Sequence, residues 1–214
     1  MAYYDLSKQE RVDLVKKMTS DIRLDLENTT KYNIVKYFSD EDTYIRKNGY
    51  LIIGKLFCNK EFDKSVIVNC LSELHSNENE KIRQTVVNTF GEIGKTDFLL
   101  IEKYMDVSLF DEHHSVRNAV IGSIKKMGQK NPLPVLLWAK KYLNHPDKEV
   151  RREVCHGIEL RGRTHPQDIL PLLKELEFDK TKRVTSTLVH VLGQIAYKKR
   201  MFRNGNKRFK QLEK

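Results

Sequence analysis

Cysteine is scarce in this 214-residue chain, and the three present, Cys58, Cys70 and Cys155, form neither a Cys-x-x-Cys pair nor any metal-ligand spacing. An odd count also excludes a disulfide framework, so the thiols are expected to be reduced and mostly buried, as in a cytoplasmic protein. Five Pro and ten Gly leave no room for long disordered linkers. Long apolar runs are missing too: the stretch from Val135 to Ala139 is among the longest, against the roughly 20 residues a membrane span needs. The N-terminus, Met1-Ala2-Tyr3-Tyr4-Asp5-Leu6-Ser7-Lys8, has no apolar signal core, so neither export nor a membrane is expected.

What is plentiful is charge. At 39% hydrophobic and 32% charged residues the composition is lean for a compact globule and suits an elongated stack with much surface. The net charge of +10 suggests nucleic acid until it is located. Residues 197–214 hold eight Lys and Arg against Glu213, which takes +7 of the +10 and leaves +3 for the rest. An electrostatic footprint on the body therefore has to come from arrangement on one face.

The chain repeats itself. Ile45, Ile82, Val116, Val150 and Val184 recur at steps of 37, 34, 34 and 34, with Arg46, Arg83, Arg117 and Arg151 following the first four. From each start, apolar residues fall at offsets 0, +4, +8 and +11: Ile82, Val86, Phe90, Ile93; Val116, Val120, Ile124, Met127; Val184, Leu188, Leu192, Ile195. Ile45, Gly49, Ile53, Leu56 follow the same pattern, and Val150, Val154, Ile158 do so until Arg161 interrupts it. These offsets lie on one helical face, and Phe90 and Leu192 are both expected to be nearly buried. A fixed period of this size is the mark of a solenoid, whose units are too small to bury their apolar faces without neighbours.

Asp42, Asn79 and Asp147 stand four residues before the Arg, and Gly54, Gly91 and Gly193 share one late position. On these residues the chain resembles the HEAT and HEAT-like repeat family over roughly residues 27–198. The resemblance implies an all-α, right-handed α-solenoid of about five helix pairs. The expected layout is an N-terminal capping helix over 1–26, the repeats over 27–198 and a basic tail or cap over 199–214.

Ser7 with Glu10 reads as a capping box opening the first helix. Paired helices are then expected near 28–38 and 40–57, a helix over 60–75, a short helix over 96–105 and an acidic, His-rich loop over 106–114. Pro132 and Pro166 open later first helices, with Pro171 inside the last of them. Beyond Ala196 the apolar period fails, and Lys198, Lys199, Arg200 and Arg203 begin a basic segment that either closes the stack or hangs from it as a mobile tail.

Second helices line the concave side of such solenoids, where a row of cations would meet phosphates. The groove candidates are Lys47, Arg117, Arg151, Arg152, Lys182 and Arg183. Arg46 and Arg83 are read as a structural ladder bonding neighbouring loops, a role open to Arg117 and Arg151 as well. Val150-Arg151-Arg152, Gly157 and Arg161-Gly162-Arg163 further resemble segments of bacterial HEAT-like DNA-alkylation-repair glycosylases. That resemblance implies a carboxylate framed by Trp residues, but Trp138 is the one Trp and lies on a first helix, with no Trp-x-x-x-Asp on any second helix. Asp111 and Glu112 are the nearest acidic candidates. His113-His114 lacks a further spaced ligand, so no metal is expected. His156 and His190 occupy matching +6 positions, and no phosphate loop or cofactor motif can be drawn. The sequence thus points to a duplex-DNA binder of the alkylation-repair type without evident glycosylase activity; the alternatives are a protein-binding scaffold and an active glycosylase.

Overall fold

A computed structural model describes residues 3–59 and 62–212, and side chains for 3–59 and 62–198. Among these the chain is all-α, a helical-repeat fold with no strand. It divides into two compact units, Met1–Ser123 and Ile124–Lys214.

The first unit opens with a short 3₁₀ turn, Tyr3–Asp5, and α1 (Lys8–Glu27). The capping box is present: the Glu10 amide donates to Ser7 Oγ at 3.2 Å, and the Ser7 amide donates to Glu10 Oε2 at 2.7 Å. Helices α2 (Tyr32–Phe38) and α3 (Thr43–Cys58) form the first pair, and α4 (Lys64–His75) and α5 (Glu80–Ile93) the second. Then come α6 (Glu102–Ser108) and α7 (His114–Lys130), whose residues from Ile124 onward belong to the second unit. The short helix expected over 96–105 starts late, because residues 96–101 form turns, and it runs on to Ser108 at the expense of the loop.

The second unit continues with α8 (Pro132–Leu143), α9 (Lys148–Gly157), α10 (Glu159–Thr164), α11 (Pro166–Leu173), a 3₁₀ turn and α12 (Lys182–Leu212). Pro132 and Pro166 occupy first turns, where their missing N–H has no partner to lose. Helices α9 and α10 meet at Ile158 and together serve as one second helix. Helical backbone continues past Ala196 to Leu212, but the side chains of Lys199, Arg200 and Arg203 lie outside the described residues.

The inward offsets form the core. Ile82, Val86, Phe90 and Ile93, like Val116, Val120, Ile124 and Met127, are all 3% exposed or less. Leu192 departs from the expectation at 38% exposed. It sits on α12, which packs against α9 and α10.

Within each unit, close helix approach depends on residues without a side chain. A β-carbon at Gly91 would lie 2.3 Å from Ser123 Oγ and 2.7 Å from Ser123 Cβ, so α5 and α7 touch there with only a hydrogen between them. Gly91→Ala is expected to lower stability by about 1–3 kcal/mol by overpacking. Ser123→Gly in the same chain should return part of the loss, measured by urea unfolding. If the single change is silent, the two helices are farther apart than described.

Candidate functional site

Each second helix starts from the same wiring. An Asp, Asn or His six residues before the ladder Arg accepts the backbone N–H two residues on: Asp42 N to Asp40 Oδ1, Asn79 N to Asn77 Oδ1, His113 N to Asp111 Oδ1, Asp147 N to His145 Nδ1, and Thr181 N to Asp179 Oδ1 in the fifth copy. The ladder Arg then turns back on that loop. Nη1 of Arg46 reaches the carbonyls of Asp40 and Glu41; Arg83, those of Asn77 and Glu78; Arg117, those of Asp111 and Glu112; Arg151, those of His145 and Pro146. A guanidinium suits this work because its planar fork satisfies two acceptors at once.

Where the next loop offers an Asp, the same Arg also binds it. Arg83 holds Asp111 through Nε at 2.8 Å and Nη2 at 3.0 Å, and Arg151 Nε lies 2.6 Å from Asp179 Oδ2. Arg117 and Arg151, counted above with the groove residues, thus carry the same loop contacts as Arg46 and Arg83. Asp111 is held below its ordinary pKa: burial opposes ionisation, but the Arg83 hydrogen bond and the His113 amide outweigh it. Asp111 is a brace between loops of the first unit, and Trp138 is 1% exposed in the core of the second.

Offsets +2 and +6 of the second helices lie away from the apolar stripe. In the first unit these positions bring Lys47, Gln84 and Asn88 to a cavity of about 290 Å³ between α3 and α5, completed by Thr43, Tyr44, Arg46, Tyr50 and Thr85. Lys47 is exposed there.

In the second unit the same face gathers ionisable groups around Glu159, whose side chain is 2% exposed. Its Oε2 lies 3.1 Å from His156 Nε2, 3.8 Å from His190 Nε2 and 3.6 Å from Lys125 Nζ, while Arg163 pairs with Oε1. Burial would raise the Glu159 pKa, but Arg163, Lys125 and His156 together bring it below the ordinary value. Lys125 Nζ also stands 2.9 Å from His156 Nε2. Burial first, and then the Lys125 charge, lower the His156 pKa.

Beside this cluster, Arg152 Nε pairs with Glu149 Oε2 at 2.8 Å and its Nη2 lies 3.4 Å from Glu153 Oε1. Arg183 Nη1 lies 2.8 Å from Glu149 Oε1. Lys182 and Lys198 are exposed. Of the groups expected at a site, the structure brings His156 and His190 together and puts Arg152 and Arg183 on one acidic partner, Glu149. Lys125, Glu159 and Arg163 were not foreseen, although the repeat register puts them at +9, +9 and +13 of their helices.

No family model and no curated protein matches the chain. Solved structures do. A HEAT-like repeats protein from the archaeon Thermococcus onnurineus is 16% identical with a TM-score of 0.44, over 89% of this chain and 80% of that one. Escherichia coli YibA is 20% identical with a TM-score of 0.45, over 88% and 66%. A designed armadillo repeat protein in complex with the peptide (KR)4 is 15% identical with a TM-score of 0.39, over 88% and 94%. The chain is a helical-repeat protein similar in fold to HEAT-like and armadillo structures.

Proposed function

We propose that this chain is a protein-binding scaffold that receives a partner polypeptide on the free face of its second helices. The observation that carries this reading is the pairing of cations with carboxylates on that face. Arg152 and Arg183 share Glu149, and Lys125 and Arg163 share Glu159. A phosphate backbone binds through a row of cations that displace its condensed counterions, and at these four residues it would have to compete with a fixed carboxylate. A polypeptide, which carries donors, acceptors and charges of both signs, fits such a face without breaking the pairs. The amides of Gln84 and Asn88 beside Lys47 and Tyr50 add groups that both donate to and accept from a peptide main chain.

The test measures two ligand classes on one protein. Peptides selected by display on the intact chain are expected to bind it and to lose affinity on Gln84→Ala combined with Asn88→Ala. A labelled duplex is expected to show no anisotropy change at low salt once residues 199–214 are removed. Duplex binding that survives that removal and falls with salt by about 0.9 in log K per neutralised phosphate would overturn the scaffold reading.

A further inference from the structure

The cluster on the second unit has the geometry of a cation site as well as of a docking surface. His156 Nε2, Glu159 Oε2 and His190 Nε2 all lie within 4.8 Å of one another. Three ligand atoms held about 2.0–2.2 Å from a tetrahedral zinc ion stand roughly 3.3–3.5 Å apart. Two of the separations here, 3.1 and 3.8 Å, bracket that value. The adjustment falls on His190, which is 53% exposed on α12 and free to turn its ring. Glu159 is fixed from behind, since Arg163 pairs with its other oxygen. A ligating carboxylate is oriented by such an outer partner.

A cation already stands against two of these groups. Lys125 Nζ stands 2.9 Å from His156 Nε2 and 3.6 Å from Glu159 Oε2, touching two of the three ligand atoms. Its four-carbon stem reaches solvent, with the side chain 27% exposed, so the ammonium can swing outward without leaving a hole in the core. We propose that His156, Glu159 and His190 bind a borderline transition-metal dication, Zn²⁺ or Co²⁺, and that Lys125 holds the ion's place until the metal displaces it. Two imidazoles and one carboxylate select this class over Mg²⁺ or Ca²⁺, which require oxygen ligands. The three ligands leave a fourth position toward solvent, open to water or to a donor from a bound protein. The inference does not depend on the scaffold reading, because the ligands all come from this chain.

Co²⁺ titration of the full chain, followed by visible d–d absorption and competed with Zn²⁺, tests it. The expected result is one Co²⁺ per chain, displaced by Zn²⁺. His190→Ala should lower affinity by more than the roughly 10-fold that loss of an outer-shell partner costs. Lys125→Met should raise affinity by about 10-fold or more, since it removes a like charge at ligand distance. His113→Ala with His114→Ala should leave the titration unchanged, which separates the cluster from the adjacent histidines of the acidic loop. A wild-type and a Lys125→Met protein that both give no Co²⁺ spectrum, or a spectrum lost with His113 and His114 and kept in His190→Ala, would overturn the proposal. Far-UV circular dichroism of each variant confirms that a lost signal is not lost fold.

Discussion

Phe90→Ala is expected to lower the unfolding free energy by about 3–5 kcal/mol, the range for an aromatic ring removed from a closed core. Phe90 has no exposed surface, and its ring stacks on Tyr104 with centroids 4.6 Å apart and planes 13° from parallel. The ring of His75 lies 5.9 Å away on the same cluster. Truncation therefore loses the transfer energy of the ring and leaves a void against residues from α4 and α6, whose own packing limits collapse. The control is Leu192→Ala, at the same +8 offset on α12. Leu192 is 38% exposed, so its removal should cost less than half as much. Urea unfolding followed by far-UV circular dichroism, with the slopes compared, reads both. Equal losses would mean that burial does not follow the repeat as described.

The contrast between Phe90 and Leu192, both at offset +8, shows what the sequence carried and what it did not. A 34-residue period fixes which residues of a helix face its own pair and the preceding one, and this is why Val86, Val120, Val154 and Val184 are buried as their spacing requires. The period does not say which helix has a neighbour on its far side, and Leu192 was misread for that reason. Helix starts were legible where an Asp or Asn precedes the ladder Arg, because those side chains cap the helix chemically. The start of α6 was not legible: Ile101 makes no side-chain cap, and nothing marks the end of the turns before it.

At the site, His156 and His190 were visible as a matched pair, but their meaning lay in residues from other offsets. Lys125 and Glu159 stand where the first, second and fifth repeats have Gly54, Gly91 and Gly193. A charged residue in two adjacent repeats, where Gly54 and Gly91 pack closely against a neighbouring helix, is a readable signal. The Arg152 pair with Glu149, three residues before it on α9, is readable from helical spacing, whereas the reach of Arg183 on α12 to the same carboxylate is not.

The Arg151–Asp179 pair should show the largest coupling in the chain. Both side chains are largely out of water, at 15% and 7% exposed. Arg151 bonds two loop carbonyls and Asp179 at once, while Asp179 also accepts the Thr181 amide that starts α12. Removing one partner leaves the other desolvated and unpaired, so Arg151→Ala and Asp179→Ala are each expected to cost about 3–5 kcal/mol. The double variant should cost less than the two losses combined, with a coupling of about 0.5–3 kcal/mol, because no orphaned charge remains. Asp179→Asn isolates the charge, since the amide oxygen can still accept from Thr181. The Arg151 hydrogen bond leads the causes that lower the Asp179 pKa. The ion pair therefore stabilises fully above the ordinary carboxylate range and is lost as pH falls through the depressed folded value. The stability gap between wild type and Asp179→Asn should accordingly be widest near neutrality and close in acid. Arg152→Ala gives up two carboxylates of its own helix, Glu149 at 32% exposed and Glu153 at the longer distance of 3.4 Å, and no loop carbonyl, so it should cost less than Arg151→Ala. Should Arg151→Ala prove as mild as Arg152→Ala, with no coupling to Asp179, the loops would be holding their register by backbone contacts alone, and the ladder would have no structural reason to recur every 34 residues.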